Sequence, residues 1–491
     1  MTLIFCGNDY KYELEGVMKL FIPAARFRHI YTDDNTTDAA GDDFVLISES
    51  EKDGAAELAV KADYLGKQTQ RVRSLPPGDG SDRELVLSKL LYEAMSELTG
   101  IRPKWGVMTG VRPVKRVNRY IAEGYDKETM RELFEREYYC TPEKFDIAYR
   151  TAQVQSRIMP TVGERSFSLY VSIPFCPTRC SYCSFISQTI GSGKKLIPLY
   201  IDNLCREIRY TGELAARLGL SLDTVYFGGG TPTSFEAEQL ARIMGTVSES
   251  FDMSRVREYT VEAGRADTIT REKLAAIKEN GCSRISVNPQ TLNNSVLEVI
   301  GRRHTAEQFF SAFELARELG FEHINTDIIA GLPTDTPESF ASTVDGLIDL
   351  GPENITVHTL SIKRAADLNF AGNKSEVLTS PAGVMVDHAA KRLTEAGYQP
   401  YYLYRQKNML ENLENIGWSK PGEESLYNIF IMEEIQTILA VGAGASTKLV
   451  DLEGGRLERI FNYKHPLEYN KHFDLMIDKK KEIVDFYAEK E

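Results

Sequence analysis

Three cysteines, Cys176, Cys180 and Cys183, form a C-x3-C-x2-C run inside the stretch "SLYVSIPFCPTRCSYCSF". The chain has only seven cysteines in 491 residues, so this crowding asks for a chemical reason. A zinc ribbon would need two C-x-x-C knuckles or added histidines, and neither lies nearby. Three thiolates on one short loop suit three irons of a 4Fe–4S cube and leave the fourth iron without a protein ligand. An open coordination position marks a centre built for chemistry rather than for structure. An electron carrier would bring a fourth cysteine close by. The next one here, Cys205, falls on an expected helix. Further along, polar residues recur where apolar runs stop: Gly228, Gly229, Gly230 and Thr231 after "DTVYF", Glu262 in "EYTVEAG" and Gln290 in "RISVNPQ". Arg302 in "GRRHT" and Asp327 in "HINTDIIAGLP" continue the series. Glycines permit close backbone approach, carboxylates and amides accept hydrogen bonds from hydroxyl or ammonium groups, and arginine pairs with a carboxylate.

Such residues act together only if the scaffold gathers the ends of several strands. From about residue 165, short apolar runs alternate with amphipathic stretches such as "TREKLAAIKENG" and "TAEQFFSAFELARELG", each closing on glycine. Repeated β–α units of this length predict a parallel sheet with outer helices, a full or partial (β/α) barrel. In such barrels the chemistry sits at the C-terminal ends of the strands, where each of these motifs falls. Residues 1–160 read as an α+β domain with strands in "DFVLISES" and "AELAVKADYLG". After "PPGDG", a helix is expected to start with a capping box at Ser81 and Glu84 and to stop at Gly100, with Leu87, Leu91, Ala94 and Leu98 on one face. Arg112, Lys115, Arg116 and Arg119 make a basic segment, read as a solvated helix face or an anion or RNA contact. The expected division is 1–160, an α+β domain; 165–370, the barrel; and 371–491, a less regular extension over the active site with "YQPYYLYRQ" and "AVGAGAST".

Bulk properties limit the partners. A net charge of −13 disfavours non-specific nucleic-acid binding, so an anionic substrate needs a local basic pocket. No apolar run is long enough to suggest a membrane span, and "MTLIFCGNDYKYELEG" does not read as a secretory leader. An odd number of cysteines fits a reducing cytoplasm better than a disulfide framework.

A C-x3-C-x2-C loop after the first strand of a (β/α) barrel resembles the radical S-adenosylmethionine superfamily. The resemblance implies a partial (β/α)6 barrel, a 4Fe–4S cluster on Cys176, Cys180 and Cys183, and S-adenosylmethionine held by the open iron and cleaved to a 5′-deoxyadenosyl radical. Radical generation on the cofactor would leave no side chain as the catalytic acid or base. The order of motifs is similar to one branch, the oxygen-independent coproporphyrinogen III oxidases (dehydrogenases), over about residues 165–470. "TGVRP" and "VEAGRADTI" are most like the coproporphyrinogen dehydrogenase subgroup within it. Positions matching that branch's cofactor contacts are Tyr170, Gly229, Gly230, Thr231, Glu262, Gln290, Arg302 and Asp327. The implied activity converts two propionates of coproporphyrinogen III to vinyl groups, giving protoporphyrinogen IX for haem, with a flavodoxin- or ferredoxin-type electron donor. Arg179, Arg303, Lys363, Arg364 and Arg405 could hold substrate carboxylates. His304 is expected to face the site, and His323 and His358 to be structural. Two departures keep alternatives open. Phe185 stands where decarboxylating members carry a fourth cysteine, as it does in related haem chaperones. "YNIFIM" (Tyr427, Ile431, Met432) replaces the chaperones' His-Asn-x-x-Tyr-Trp motif. A haem-trafficking protein, or a radical enzyme with another substrate such as RNA, are the rival readings.

Overall fold

The computed structural model describes residues 1–491 except 24, 34–40, 42, 111, 186, 362–379, 407–408 and 489–491. The described residues form two compact units. One takes Met1–Ala152, a short piece ending at Gly383, and Tyr404–Glu414. It begins with β1 (Thr2–Cys6), α1 (Lys11–Phe21), β2 (Arg28–Thr32), β3 (Phe44–Lys52), β4 (Ala55–Tyr64), β5 (Lys67–Leu75) and α2 (Arg83–Thr99). The strands pair in the order β2-β1-β3-β4-β5, parallel about β1 and antiparallel from β3 onward. Leu14 and Val17 of α1 and Leu87, Leu91, Ala94 and Leu98 of α2 pack with Leu3, Phe5, Val45, Ile47, Leu58 and Val60 in one core. The expected capping box is not what starts α2. Asp82 caps it by accepting from the Leu85 N–H, since an aspartate one residue nearer the first turn does the same work as Ser81. The helix stops at Gly100, whose φ of 73° suits a residue without Cβ.

Helices α3 (Val114–Ala122), α4 (Lys127–Tyr138) and α5 (Pro142–Ile158) follow. The basic segment is partly spent on aromatic rings: Arg116 lies 4.4 Å from the Tyr138 centroid and Arg119 5.2 Å from that of Tyr120. Lys144 and Glu414 form a fully buried ion pair at 2.6 Å, and Trp105 Nε1 donates to the same carboxylate at 2.7 Å. These bonds hold Tyr404–Glu414 to a unit from which it is distant in sequence.

The second unit holds β6 (Ser166–Ile173), β7 (Phe175–Cys176), β8 (Gln188–Thr189), α6 (Ile190–Gly193) and α7 (Ile197–Arg217). Then come β9 (Ser221–Gly229), α8 (Ala237–Ser250), β10 (Glu258–Gly264), α9 (Arg271–Glu279), β11 (Arg284–Val287), α10 (Asn294–Val299) and α11 (Ala306–Glu318). β12 (His323–Ala330), α12 (Pro337–Leu350) and β13 (Asn354–Thr359) complete six β–α repeats. After α13 (Ala382–Glu395) come β14 (Gln399–Tyr404), β15 (Asn415–Ser419), α14 (Leu426–Glu433), β16 (Thr437–Val441), β17 (Ser446–Asp451) and β18 (Arg456–Phe461). The sheet order is β14-β15-β13-β12-β11-β10-β9-β6-β16-β17-β18. Its centre is the expected six-stranded parallel β/α array, β6 and β9 to β13. Among the described residues the array continues on both sides: β16 runs parallel beside β6, and β15 runs antiparallel beside β13.

Strand alternation sorts the two faces. Leu169, Val171, Val225, Phe227, Val261, Ile285, Ile324, Ile328, Ile355 and Val357 are fully or almost fully buried on the apolar face. The opposite face is polar and bonded across strands: Thr224 to Ser168 at 2.7 Å, Asn325 to Ser286 at 2.9 Å and Thr356 to Asn325 at 3.2 Å. Toward the strand starts this face is closed by Glu258, which is 4 % exposed. Its carboxylate accepts from Ser425 Oγ (2.9 Å), Leu426 N (2.9 Å) and Tyr427 N (3.2 Å), and Arg284 Nε lies 3.3 Å away. Negative charge at the first turn of α14 is favourable, and the buried ion is satisfied from several sides. Removing one partner of such a buried pair strands the other. Glu258→Ala should therefore lower stability by about 3–5 kcal/mol in urea unfolding, and Glu258→Gln by less. A loss below about 1 kcal/mol for the alanine variant would contradict this role.

Candidate functional site

The cysteine loop leaves β6 and is pinched at its base by the parallel pairing of β7 with β8. Cys180 is buried, Cys176 and Cys183 are half-buried, and all three are free thiols. Cys183 N donates to Cys180 O at 3.1 Å, and Ser181 N ties the loop to Ile300 O at 3.0 Å. Two donors reach sulfur. Thr231 Oγ1 lies 3.6 Å from Cys176 Sγ, and Arg265 Nη1 lies 3.7 Å from Cys180 Sγ while bonding Thr178 Oγ1 at 2.9 Å. Burial pushes the Cys176 and Cys183 thiols up, and each is raised further by its neighbours' charge. Among the described residues no three ligating side chains close on a single point. Thiolates serving separate irons of a cube need not do so. Three free thiols on one loop with two sulfur-directed donors are a donor set that fits a 4Fe–4S cluster.

The glycine triplet at the end of β9 is packed against this loop. Gly230 N donates to Ile173 O at 2.9 Å, and Thr231 N to Phe175 O at 2.8 Å. A Cβ on Gly230 would stand 2.6 Å from Phe175 O, so only glycine fits. Gly229, at φ 107°, has the same requirement for backbone reasons.

Beside the glycines, polar side chains on the inner face gather at the strand ends. Tyr226 Oη donates to Glu262 Oε1 at 2.5 Å, and Tyr170, its neighbour in register, stacks on it with centroids 6.2 Å apart. Tyr427 on α14 stacks on Tyr226 at 4.4 Å and on Tyr170 at 6.3 Å. Burial raises the Glu262 carboxyl to about 7, despite the hydrogen bond from Tyr226, and the nearby charge of Asp327 adds to the rise. Asp327 behaves oppositely. Burial would raise it, but His358, Asn325 and Thr356 hold it below the usual carboxylate range. Asn325 Nδ2 donates to Asp327 Oδ1 at 2.8 Å, and His358 Nε2 is 3.8 Å from Oδ2. Two nearby carboxyls are thus driven apart, one kept protonated near neutrality and one ionised. Gln290 lies just past β11 rather than ending it. Its φ is 67°, and its N–H bonds Asp327 O at 2.9 Å. Arg302 donates from Nη1 to Asn288 O at 3.0 Å and to Gly264 O at 3.4 Å, and from Nη2 to Tyr182 Oη at 3.2 Å.

Every strand-end residue singled out by its type therefore belongs to one connected set with the cysteine loop. Other expectations turn out differently. His304 is buried beside Arg303 in a cavity whose lining includes Arg302 but none of the other strand-end residues. Arg405 is buried and spent on the carbonyls of Met108 and Asn412, with Nη2 to Asn412 O at 2.8 Å, so it is not offered to a ligand. Lys363 and Arg364 lie outside the described residues. His358 proves to be a partner of Asp327 and not a remote structural residue. Its place at the end of the sixth parallel strand could have signalled this. Tyr226 and Arg265 are equally new, and both occupy inner or terminal strand positions next to motif residues.

A six-stranded parallel β/α array, three thiols on its first loop and a polar set at its strand ends define the radical S-adenosylmethionine architecture. The family model described as "Radical SAM superfamily" matches residues 170–347. The oxygen-independent coproporphyrinogen-III oxidase-like protein HemZ of Bacillus subtilis is 37 % identical over 459 residues, covering 91 % of each chain. The haem chaperone HemW of Lactococcus lactis is 29 % identical over 65 % of this chain and 79 % of its own. Among solved structures, coproporphyrinogen III oxidase HemN from Escherichia coli aligns with a TM-score of 0.52 and 25 % identity, over 66 % of this chain and 73 % of that one. The chain belongs to the oxygen-independent coproporphyrinogen-III oxidase-like family of radical S-adenosylmethionine proteins. The cofactors of that superfamily are a 4Fe–4S cluster and S-adenosylmethionine.

The raised Glu262 carboxyl gives a pH signature. Unfolded, it loses its proton near the ordinary 4.5; folded, only near 7. Between those values the folded state holds more protons, so stability falls as pH rises through the window. Urea midpoints of the unloaded protein should decline between about pH 5 and pH 7, and Glu262→Gln should remove that part of the slope. An unchanged slope in the variant would show that Glu262 titrates normally.

Proposed function

We propose that this protein is a radical S-adenosylmethionine enzyme that oxidatively decarboxylates coproporphyrinogen III to protoporphyrinogen IX in the cytoplasm. The observation that carries the reading is 37 % identity with an oxidase-like relative across nine-tenths of both chains. Bound cluster and S-adenosylmethionine would supply one-electron chemistry able to take a hydrogen atom from an unactivated carbon. Each propionate would lose one hydrogen atom, one electron and carbon dioxide to become a vinyl group. The electron that starts each turn would come from a flavodoxin- or ferredoxin-type donor.

The chain's own tasks are binding, orientation and water exclusion. Cys176, Cys180 and Cys183 would each ligate one iron, with Thr231 and Arg265 donating to sulfur and favouring the thiolate form. The backbone of Gly229 and Gly230, together with Thr231, would line the methionine part of the cofactor. Arg302 would meet its carboxylate. Glu262 would accept from its ammonium, giving up the proton it holds near neutrality. Asp327, already ionised, would accept from the ribose hydroxyls beside Gln290. Tyr170, stacked between strands, would wall the site against water.

One feature favours a second reading, a haem-trafficking protein. Phe185, 68 % exposed, stands where decarboxylating relatives have a cysteine. Against it, Tyr427 stands where the chaperones' motif histidine would be and is buried in the tyrosine stack, where it offers no imidazole to haem.

Anaerobic reconstitution followed by mass analysis of products from coproporphyrinogen III distinguishes the two. Loss of carbon dioxide with vinyl formation supports the enzyme; tight haem binding without product supports trafficking. Alanine at Cys176, Cys180 or Cys183 should abolish cluster absorbance, whereas Cys205→Ala should leave it intact, because Cys205 is buried on α7. Arg302→Ala and Asp327→Ala should keep the iron but weaken S-adenosylmethionine binding roughly ten- to a hundredfold by calorimetry, the loss of about 1.5–3 kcal/mol for a charged hydrogen bond. Wild-type affinity in both variants would remove them from the site.

A further inference from the structure

One cavity of the second unit lies beside the cofactor contacts proposed above and shares only Arg302 with them. It measures about 650 Å³, and its lining includes Thr178, Arg179, Glu298, Arg302, Arg303 and His304. That volume is typical of a pocket for a small molecule. One wall is the cysteine loop, since Thr178 and Arg179 lie between Cys176 and Cys180. The opposite wall is the turn that follows α10, fastened to the loop by the Ser181 N to Ile300 O bond at 3.0 Å.

Two independent features point to a missing anion. The first is charge: the lining carries three arginines and one carboxylate, Glu298, and the neighbouring Asp267 carboxylate is paired with Arg265, in a chain whose net charge is −13. Arg303 is exposed and makes no ion pair or hydrogen bond among the described residues. The second is a buried polar group without a partner. His304 is 2 % exposed, and neither ring nitrogen is hydrogen-bonded, although the Pro289 carbonyl lies close enough to favour its charged form. An unsatisfied buried polar side chain is costly and rare, so one beside a cavity calls for a partner within it. Burial and the charge of Arg302 push His304 down to about 4, which leaves a neutral ring able to donate one N–H.

We infer that this cavity is an oxyanion site, taking a phosphate or carboxylate group of a small molecule, and that its occupancy sets the charge beside the cluster loop. The second half rests on the proposal that Cys176, Cys180 and Cys183 hold the cluster. An anion here offsets the positive field of Arg302 and Arg303 and makes the cluster harder to reduce, because local charge is one of the terms that set its potential.

The probes are pyrophosphate and citrate, titrated by calorimetry into the full chain before and after anaerobic reconstitution. Saturable binding is expected for at least one of them, and their relative affinities tell phosphate from carboxylate recognition. Arg303→Glu, an exposed change that leaves the proposed cofactor contacts in place, should weaken binding at least about tenfold, and His304→Leu should weaken it as well. No saturable binding of either anion, or equal binding by Arg303→Glu, overturns the site. Redox titration of the reconstituted protein should show a lower midpoint with pyrophosphate, and no shift in Arg303→Glu. An unchanged midpoint with pyrophosphate bound overturns the charge-setting role. Iron and sulfide analysis of the same samples reports the cluster separately, so a failure of the cluster proposal is not mistaken for a failure of the anion site.

Discussion

A buried carboxylate at the start of the third parallel strand is the constraint on which the site's floor depends. Glu258 takes the Ser425 hydroxyl and two amides at the start of α14, and lies within ion-pair reach of Arg284. Arg284 in turn bonds Asn354 and the Glu423 carbonyl, at 3.0 Å for the latter, and Asn354 donates to that carbonyl at 2.8 Å. One cluster therefore ties the starts of β10, β11 and β13 to the segment entering α14. Because that segment is fixed, Tyr427 lies against Tyr226 and Tyr170. An isolated buried charge would be prohibitive, so this arrangement is stable only as a whole.

The same logic, run in the opposite sense, governs the strand ends. There the polar groups are incompletely satisfied from within the chain. Glu262 has one hydroxyl donor and a neighbouring carboxylate, so burial wins and it keeps its proton. Asp327 has more donors and becomes the ionised member. Arg302 spends its Nη donors on carbonyls and a tyrosine and leaves Nε unpaired. The starts of the strands are thus closed by several bonds to one carboxylate, and their ends are left with capacity for a ligand. Stability and function are separated along the length of one sheet.

What could be read from the residues follows from where the information is local. Alternation, strand length and closing glycines mark the six parallel strands, and the cysteine spacing is a property of one loop. Cap chemistry is less determinate, since Ser81 and Asp82 are both competent and only the backbone angle chooses. Distant partnerships leave no local trace. Tyr404–Glu414 returns to the first unit through Glu414, which meets Lys144 about 270 residues earlier. Arg405 has the composition of an anion ligand, yet its surroundings are carbonyl oxygens. His358 looks like any isolated histidine until the register of β12 with β13 sets it beside Asp327.

The glycine triplet shows how a motif can carry two demands at once. In its proposed role as a cofactor-facing turn it needs exposed backbone. As the neighbour of the cysteine loop it needs the absence of a Cβ, because Phe175 O would lie 2.6 Å from one on Gly230. The second demand is met before any ligand arrives, and it fixes the distance between loop and strand end. Thr231, next in the chain, then reaches Cys176 Sγ while its own N–H is held by Phe175 O. The cysteine loop and the glycine turn are thus positioned by the same backbone hydrogen bonds. A change that loosens one must displace the other, which on the proposed site would link metal loading to cofactor affinity.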